Sequence, residues 1–190
     1  MQQLRLSARP LLKAAATSAT LMSIGDVGCQ CLQQRGQPQT RINWGRTARF
    51  ALVGATLHGP FFFTGMQLLD ARFGGGQTLR TAMVKSAVGQ LTLFPTYTSA
   101  FFLYMGSLEG LALPAAAAKL AAAFPTAAVT GTMFWPAANL VTFSLDPSKR
   151  VAFLGVAGIA WNALLSYLNS QPPAGERQAQ QCAAAEAKRR

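Results

Sequence analysis

Acidic residues are scarce in this sequence: six Asp and Glu stand among 190 residues, against 17 Lys and Arg. Charged residues of both signs make up 12%, where a soluble domain usually carries about 25%. So few charges leave little polar surface to face water, and lipid is the alternative solvent. A single histidine, His58, excludes a multi-histidine metal site within one chain. Three cysteines, Cys29, Cys31 and Cys182, are too few and too scattered for a disulfide framework. Cys29 and Cys31 are two apart, a spacing that does not bring side chains face to face on a helix. No nucleophile has a plausible base, and no apolar stretch holds two acids. The three glycines at 74–76 lack the strand–helix context of a phosphate loop. The chain therefore reads as a non-enzyme with no cofactor. Nor does a basic or aromatic module stand apart from the apolar segments, which argues against nucleic acid. The net charge of +11 suits anionic headgroups and small anionic metabolites instead.

Hydrophobic residues are abundant, at 51%, and charge-free windows recur at 50–69, 86–108, 120–145 and 151–170. A membrane helix needs about 20 mostly apolar residues, so each window is long enough. Residues 14–34 make a fifth candidate, interrupted by Asp26. The expected fold class is all-α, an integral membrane helical bundle with four to five spans, near 14–34, 47–69, 84–108, 125–145 and 151–169. The alanine-rich stretch 111–124 is helix-prone and stands apart from these. Pro60, Pro95 and Pro136 should kink their spans. Gly25, Gly28, Gly54, Gly155 and Gly158 should permit close helix contacts.

The division of the chain follows. Residues 1–13 form a basic N-terminal segment, 14–169 a single membrane domain, and 170–190 a flexible polar tail. Arg5, Arg9 and Lys13 share a helical face without an acid, which is compatible with a mitochondrial targeting segment. Basic residues are spread evenly over both sets of loops, so orientation does not follow.

Polar residues form stripes inside the apolar spans. With about 100° per residue, Ser23, Asp26, Gln30 and Gln33 fall on one face. Gln90 lies in the third span, Thr132, Asn139 and Thr142 in the fourth, and Asn162, Ser166 and Asn169 in the fifth. Two readings compete. The stripes bond across helices as glue, or they line a wet path for solutes. Glue is favoured for most of them. Asp26 is the exception, because one ionisable group within a span is a functional candidate by default.

Motifs along the chain point further. Pro10, Gly25-Asp26 with Gln30, "RTARF" with Gly54 and Gly59-Pro60, Lys85 with Gln90 and Pro95, "FWPAANLVTF" with Pro147 and Arg150, and "WNALLS" at 161–166 follow in order. In that order and spacing, over about residues 10–169, the chain resembles the Mpv-seventeen/peroxisomal-membrane-protein-twenty-two family. It departs from the family pattern at several points. Gly65-Met66 stands for an aromatic pair, Gly89-Gln90 for an Asp-Gln, Asn139 for a glutamine and Thr142 for an asparagine. One residue is missing between Pro147 and Arg150.

The resemblance implies an α-helical membrane protein, usually of four spans, in the mitochondrial inner membrane or, alternatively, the peroxisomal membrane. It implies channel-like permeability for small solutes, tied to metabolite and membrane-potential homeostasis. Because Pro10 matches near the family's start, the basic N-terminus is expected to be retained. The candidate interior or pore-lining residues are then Asp26, Gln30, Gln90, Asn139 and Asn162. The alternative is a non-transport structural or assembly subunit of a membrane complex. The bilayer is the expected partner, and a homo-oligomer or larger membrane complex stays open.

Overall fold

The computed structural model describes residues 8–34, 41–74, 78–144 and 147–171, without the side chains of residues 79, 139, 140, 142–144 and 147–152. Every described element is a helix. The expected basic segment lies outside the described residues up to residue 7, and the expected tail lies outside them from residue 172. Residues 8–13 belong to the first helix, which is therefore longer than the span expected from 14.

Helix α1 runs Ala8–Gln33 with Pro10 in its first turn, where proline's missing N–H is harmless. Helix α2, Trp44–Val53, starts at Asn43, whose side-chain oxygen accepts the Arg46 N–H at 3.0 Å. It continues without a break through a π-helical turn, Gly54–His58, into α3, Gly59–Phe73. The π turn has a local cause. Pro60 has no N–H to donate back along the helix, and the Gly59 N–H reaches five residues back to the Gly54 carbonyl. The bend expected at Pro60 is thus taken up by a widened turn just before it.

Helix α4, Leu79–Leu91, and α5, Leu93–Leu108, are separated at Thr92, three residues before Pro95. Pro95 offers no N–H to the Leu91 carbonyl, and the expected kink is a break between two helices. The end of α5 is closed by Gly110 at φ +77, with Gly110 N–H on Ser107 O and Leu111 N–H on Gly106 O. This left-handed stop satisfies two orphan carbonyls and suits glycine.

Helix α6 runs Leu113–Ser144 through both Pro125 and Pro136. The alanine-rich stretch and the fourth expected span are therefore one helix, and Pro136 does not end it. Helix α7 runs Pro147–Ser170.

Helix α1 lies at the centre of the arrangement, with its most extensive contacts to the α2–π–α3 run and then to α7. Glycine decides how close these come. A Cβ on Gly25 would sit 2.7 Å from the Asn162 Cβ and 2.9 Å from the Ala163 nitrogen of α7. On the other side of α1, a Cβ on Gly54 would sit 2.7 Å from the Ala19 Cα, and one on Gly59 2.7 Å from the Ala15 Cα. A Cβ on Gly28 or Gly155 would meet nothing within 4 Å, and one on Gly158 only Leu21 at 4.0 Å, so those three do not make the close contacts expected of them.

The core is aromatic and fills the space between α2, α5, α6 and α7. Phe50, Tyr97, Phe101, Phe102 and Trp161 are buried with Met22, Met105 and Leu165. Among the described residues one helix, Leu113–Ala138, is long and apolar enough to cross a membrane by length and composition alone. The remaining runs are split, as at Thr92, or carry polar stripes, as in α1.

Candidate functional site

Asp26 sits in the third quarter of α1, fully buried at 0% exposure. A lone carboxylate there would be untenable in a low-dielectric interior, and four donors surround it. Its Oδ1 accepts from Arg46 Nε at 2.7 Å and from the Ser166 hydroxyl. Its Oδ2 accepts from Gln30 Nε2 and Thr47 Oγ1, both at 2.7 Å. Gln30 is one helical turn on, and so shares the face. Thr47 and Arg46 come from the start of α2, and Ser166 from α7. The carboxylate thereby ties three helices at one point.

Arg46 is equally engaged. Its Nη1 donates to Gln33 Oε1 at 3.2 Å. Its Nη2 donates to the Ser166 carbonyl at 3.2 Å, to the Ser166 hydroxyl and to Cys29 Sγ at 3.6 Å. Gln30 Oε1 accepts the Asn43 N–H at 2.7 Å, and Gln33 Nε2 donates to Ser170 Oγ at 2.7 Å. Each guanidinium nitrogen and each carboxylate oxygen thus has a partner. A buried pair in that state holds geometry firmly, and removing one member strands the other.

A second charged cluster lies at the same end of the bundle, one turn further along α7. Glu109, at the end of α5, accepts from Lys119 Nζ of α6 and, at 2.7 Å, from Asn169 Nδ2 of α7. The third described pair, Lys85 with Asp70 at 2.6 Å, links α4 to α3 with Asp70 largely exposed.

Other polar groups are differently placed. Ser18 Oγ meets His58 Nδ1 at 3.0 Å. Among the described residues, the buried side-chain oxygens with no hydrogen-bond partner are the Tyr97 hydroxyl, the Thr98 hydroxyl and the side-chain carbonyls of Asn162 and Asn169.

The expected site residues therefore part company. Asp26 and Gln30 join one network. Asn162 is buried on α7 one turn before Ser166 but does not bond to that network. Gln90 is half-buried and donates to Thr132 Oγ1 at 3.2 Å, an exposed pair between α4 and α6. The Asn139 side chain lies outside the described residues. The Cys29–Cys31 pair is split as expected from its spacing, Cys29 buried and Cys31 exposed. Cys29, however, is a neighbour of Arg46 rather than a bystander. Among the described residues no group of three His, Cys, Asp or Glu could hold a metal ion.

Arg46, Thr47 and Asn43 were missed as site residues by sequence reasoning, which began the second span at residue 47 and singled out no polar residue at its start. A signal was present: a carboxylate in an apolar span demands a cation, and "RTARF" supplies one at the next helix start.

A family model described as Mpv17 / PMP22 family matches residues 106–166. Protein sym-1 of Neurospora crassa is 35% identical over 170 residues, covering 88% of this chain and 96% of that protein. Mitochondrial inner membrane protein Mpv17 of Homo sapiens is 32% identical over 166 residues, covering 87% and 93%. PXMP2/4 family protein 4 of Dictyostelium discoideum is 31% identical over 162 residues, covering 85% and 87%. No solved structure matches the chain.

Proposed function

Since this chain belongs to the Mpv17 / PMP22 family and resides in the mitochondrial inner membrane, we propose that it is a non-enzymatic bundle of four to five membrane passes. The bundle carries a weakly selective path for small, preferentially anionic solutes. In this conformation the path is held shut at the end where Asp26 and Arg46 meet.

The length of the helices supports the membrane passes. At about 1.5 Å per residue, α1, α6, α7 and the continuous 44–73 run each exceed a hydrocarbon core of about 30 Å. The observation that carries the path is the set of buried oxygens without protein partners: Tyr97, Thr98, Asn162 and Asn169. Such groups are costly in a dry interior and are normally satisfied by protein or by water. Their presence on α5 and α7, inside an otherwise aromatic core, supports a course that water or a polar solute can enter. Asp26 does not lie open to that course, since its oxygens are closed off by four donors.

Purified protein in liposomes tests the proposal. Release of small anionic solutes should exceed that of protein-free vesicles, and Asn162→Leu with Thr98→Val should cut it several-fold. No release from a well-folded preparation sinks the path.

One observation favours a second reading, a structural subunit of a membrane complex. The Asp26 network is complete within the chain and ties three helices, which is what a purely structural role needs. On that reading Asp26→Asn lowers stability or recovery of the complex, and no variant changes permeability.

A further inference from the structure

Every described carboxylate is already taken: Asp26 by Arg46, Asp70 by Lys85 and Glu109 by Lys119. One partly buried cation is left over. Arg49, on α2, is half-buried, and its Nε is buried with no hydrogen-bond partner. The other Lys and Arg residues with described side chains are in those pairs or, like Arg9, Lys13, Arg41, Arg72 and Arg80, exposed.

Arg49 is not among the donors that close the Asp26 network. At about 100° per residue it lies about 60° around α2 from Arg46 and about 160° from Thr47, so it flanks that network without joining it. A guanidinium partly withdrawn from water, with no counter-ion among the described residues, calls for an anion from outside. The depth fits one. Helix α2 begins at Trp44, which is 68% exposed, as expected of an aromatic residue at a membrane interface. Arg49 is less than two turns further in. At that level the anions on offer carry phosphate, and the planar fork of arginine matches phosphate oxygens two at a time.

We propose that Arg49 is an anion-binding residue that takes a phosphate group, either of an anionic lipid headgroup or of a free phosphate solute. The proposal does not rest on the transport reading, because a lipid-bound arginine serves a structural subunit equally well.

The full chain, reconstituted in vesicles of phosphatidylglycerol and phosphatidylcholine and examined by native mass spectrometry, tests the lipid source. Thermal unfolding in detergent with inorganic phosphate against chloride at equal ionic strength tests the free source. Wild type should retain phosphatidylglycerol over phosphatidylcholine, or be stabilised by phosphate over chloride. Arg49→Gln should weaken that preference about fivefold, the scale of one basic residue at an anionic surface. Arg49→Lys, which keeps the charge and loses the fork, should weaken it less, and the exposed Arg80→Gln should leave it unchanged. The proposal is overturned if wild type shows neither preference, or if Arg49→Gln and Arg80→Gln behave alike. Should Arg49→Gln fail to fold, a preference in Arg49→Lys equal to that of wild type counts against it.

Discussion

Two polar regions of the bundle are built from similar residue types and are satisfied in opposite ways. At one end Asp26, Arg46, Gln30, Thr47 and Ser166 use up one another's donors and acceptors. Towards the middle, Tyr97, Thr98 and Asn162 are just as buried and their oxygens have no partner. The difference is not one of polarity or depth. It is whether the chain itself closes the hydrogen bonds. A closed network has no use for water and serves to hold helices in register. An unclosed one has capacity left for water or solute. Ser166 and Asn162 are one turn apart on α7, so this division falls within a single helix face.

The largest expected effect comes from opening the closed region. Asp26→Asn keeps the shape of the side chain and leaves the Arg46 guanidinium without its counter-charge. Breaking one side of a buried pair costs about 3–5 kcal/mol, and unfolding in mixed micelles should show a loss of that order. Removing both charges, as Asp26→Leu with Arg46→Leu, should recover part of it, because no charge is then left unpaired, although the Ser166 hydroxyl loses its partners. An Asp26→Asn protein of unchanged stability but altered ion selectivity would erase the contrast between the two regions.

A smaller loss should follow from Gly25→Ala. The new Cβ would meet the Asn162 Cβ at 2.7 Å and the α7 backbone at 2.9 Å. Backbone cannot swing aside as a side-chain tip can, so α1 and α7 must part slightly. Overpacking of this kind costs about 1–3 kcal/mol. Gly28→Ala is the control: nothing lies within 4 Å of its Cβ position, and the change from glycine to alanine in a helix should be neutral or mildly stabilising. Equal losses in the two variants would show that α1 and α7 do not pack through Gly25.

How much of this was legible beforehand depends on the range of the signal. Hydropathy marked the helical runs, and the three-four-three spacing put Asp26, Gln30 and Gln33 on one face, where the structure uses them. Proline identity marked trouble at Pro60 and Pro95 but not its form, since a π turn and a helix break relieve the same missing N–H. Glycine content could not tell Gly25 from Gly28, three residues apart. Only the neighbouring helix makes one of them a contact. The partner of Asp26 was the larger miss. Arg46 lies twenty residues on, in the next helix, and no periodicity connects the two. Charge logic alone asks for such a cation without saying which one. Gln90 is a different case. Its polarity suggested the interior, and the structure sets it half-buried, bonded to the exposed Thr132 between α4 and α6.

The middle region offers the next test. Asn162→Leu removes a buried amide whose carbonyl has no partner and replaces it with a side chain of similar size. Taking away an unsatisfied polar group recovers its desolvation penalty, so stability should change by less than about 1 kcal/mol or rise. Solute release should nevertheless fall several-fold. A large loss of stability would instead mean that Asn162 is tied as tightly as Asp26, and the two regions would be one.

The smallest effect is expected at Gln90, and it sharpens the comparison from outside. Its bond to Thr132 is exposed rather than enclosed, so it belongs to neither region. Exposed pairs of this kind contribute little, and replacements away from buried networks usually stay within about 0.5 kcal/mol. Gln90→Leu should therefore leave both unfolding and solute release near wild type. A clear fall in release with stability intact would move the path to the outer side of α4 and α6. Partnerless oxygens on α5 and α7 would then no longer mark its course, and the polar surface that Gln90 shares with Thr132 would have to be covered by another chain.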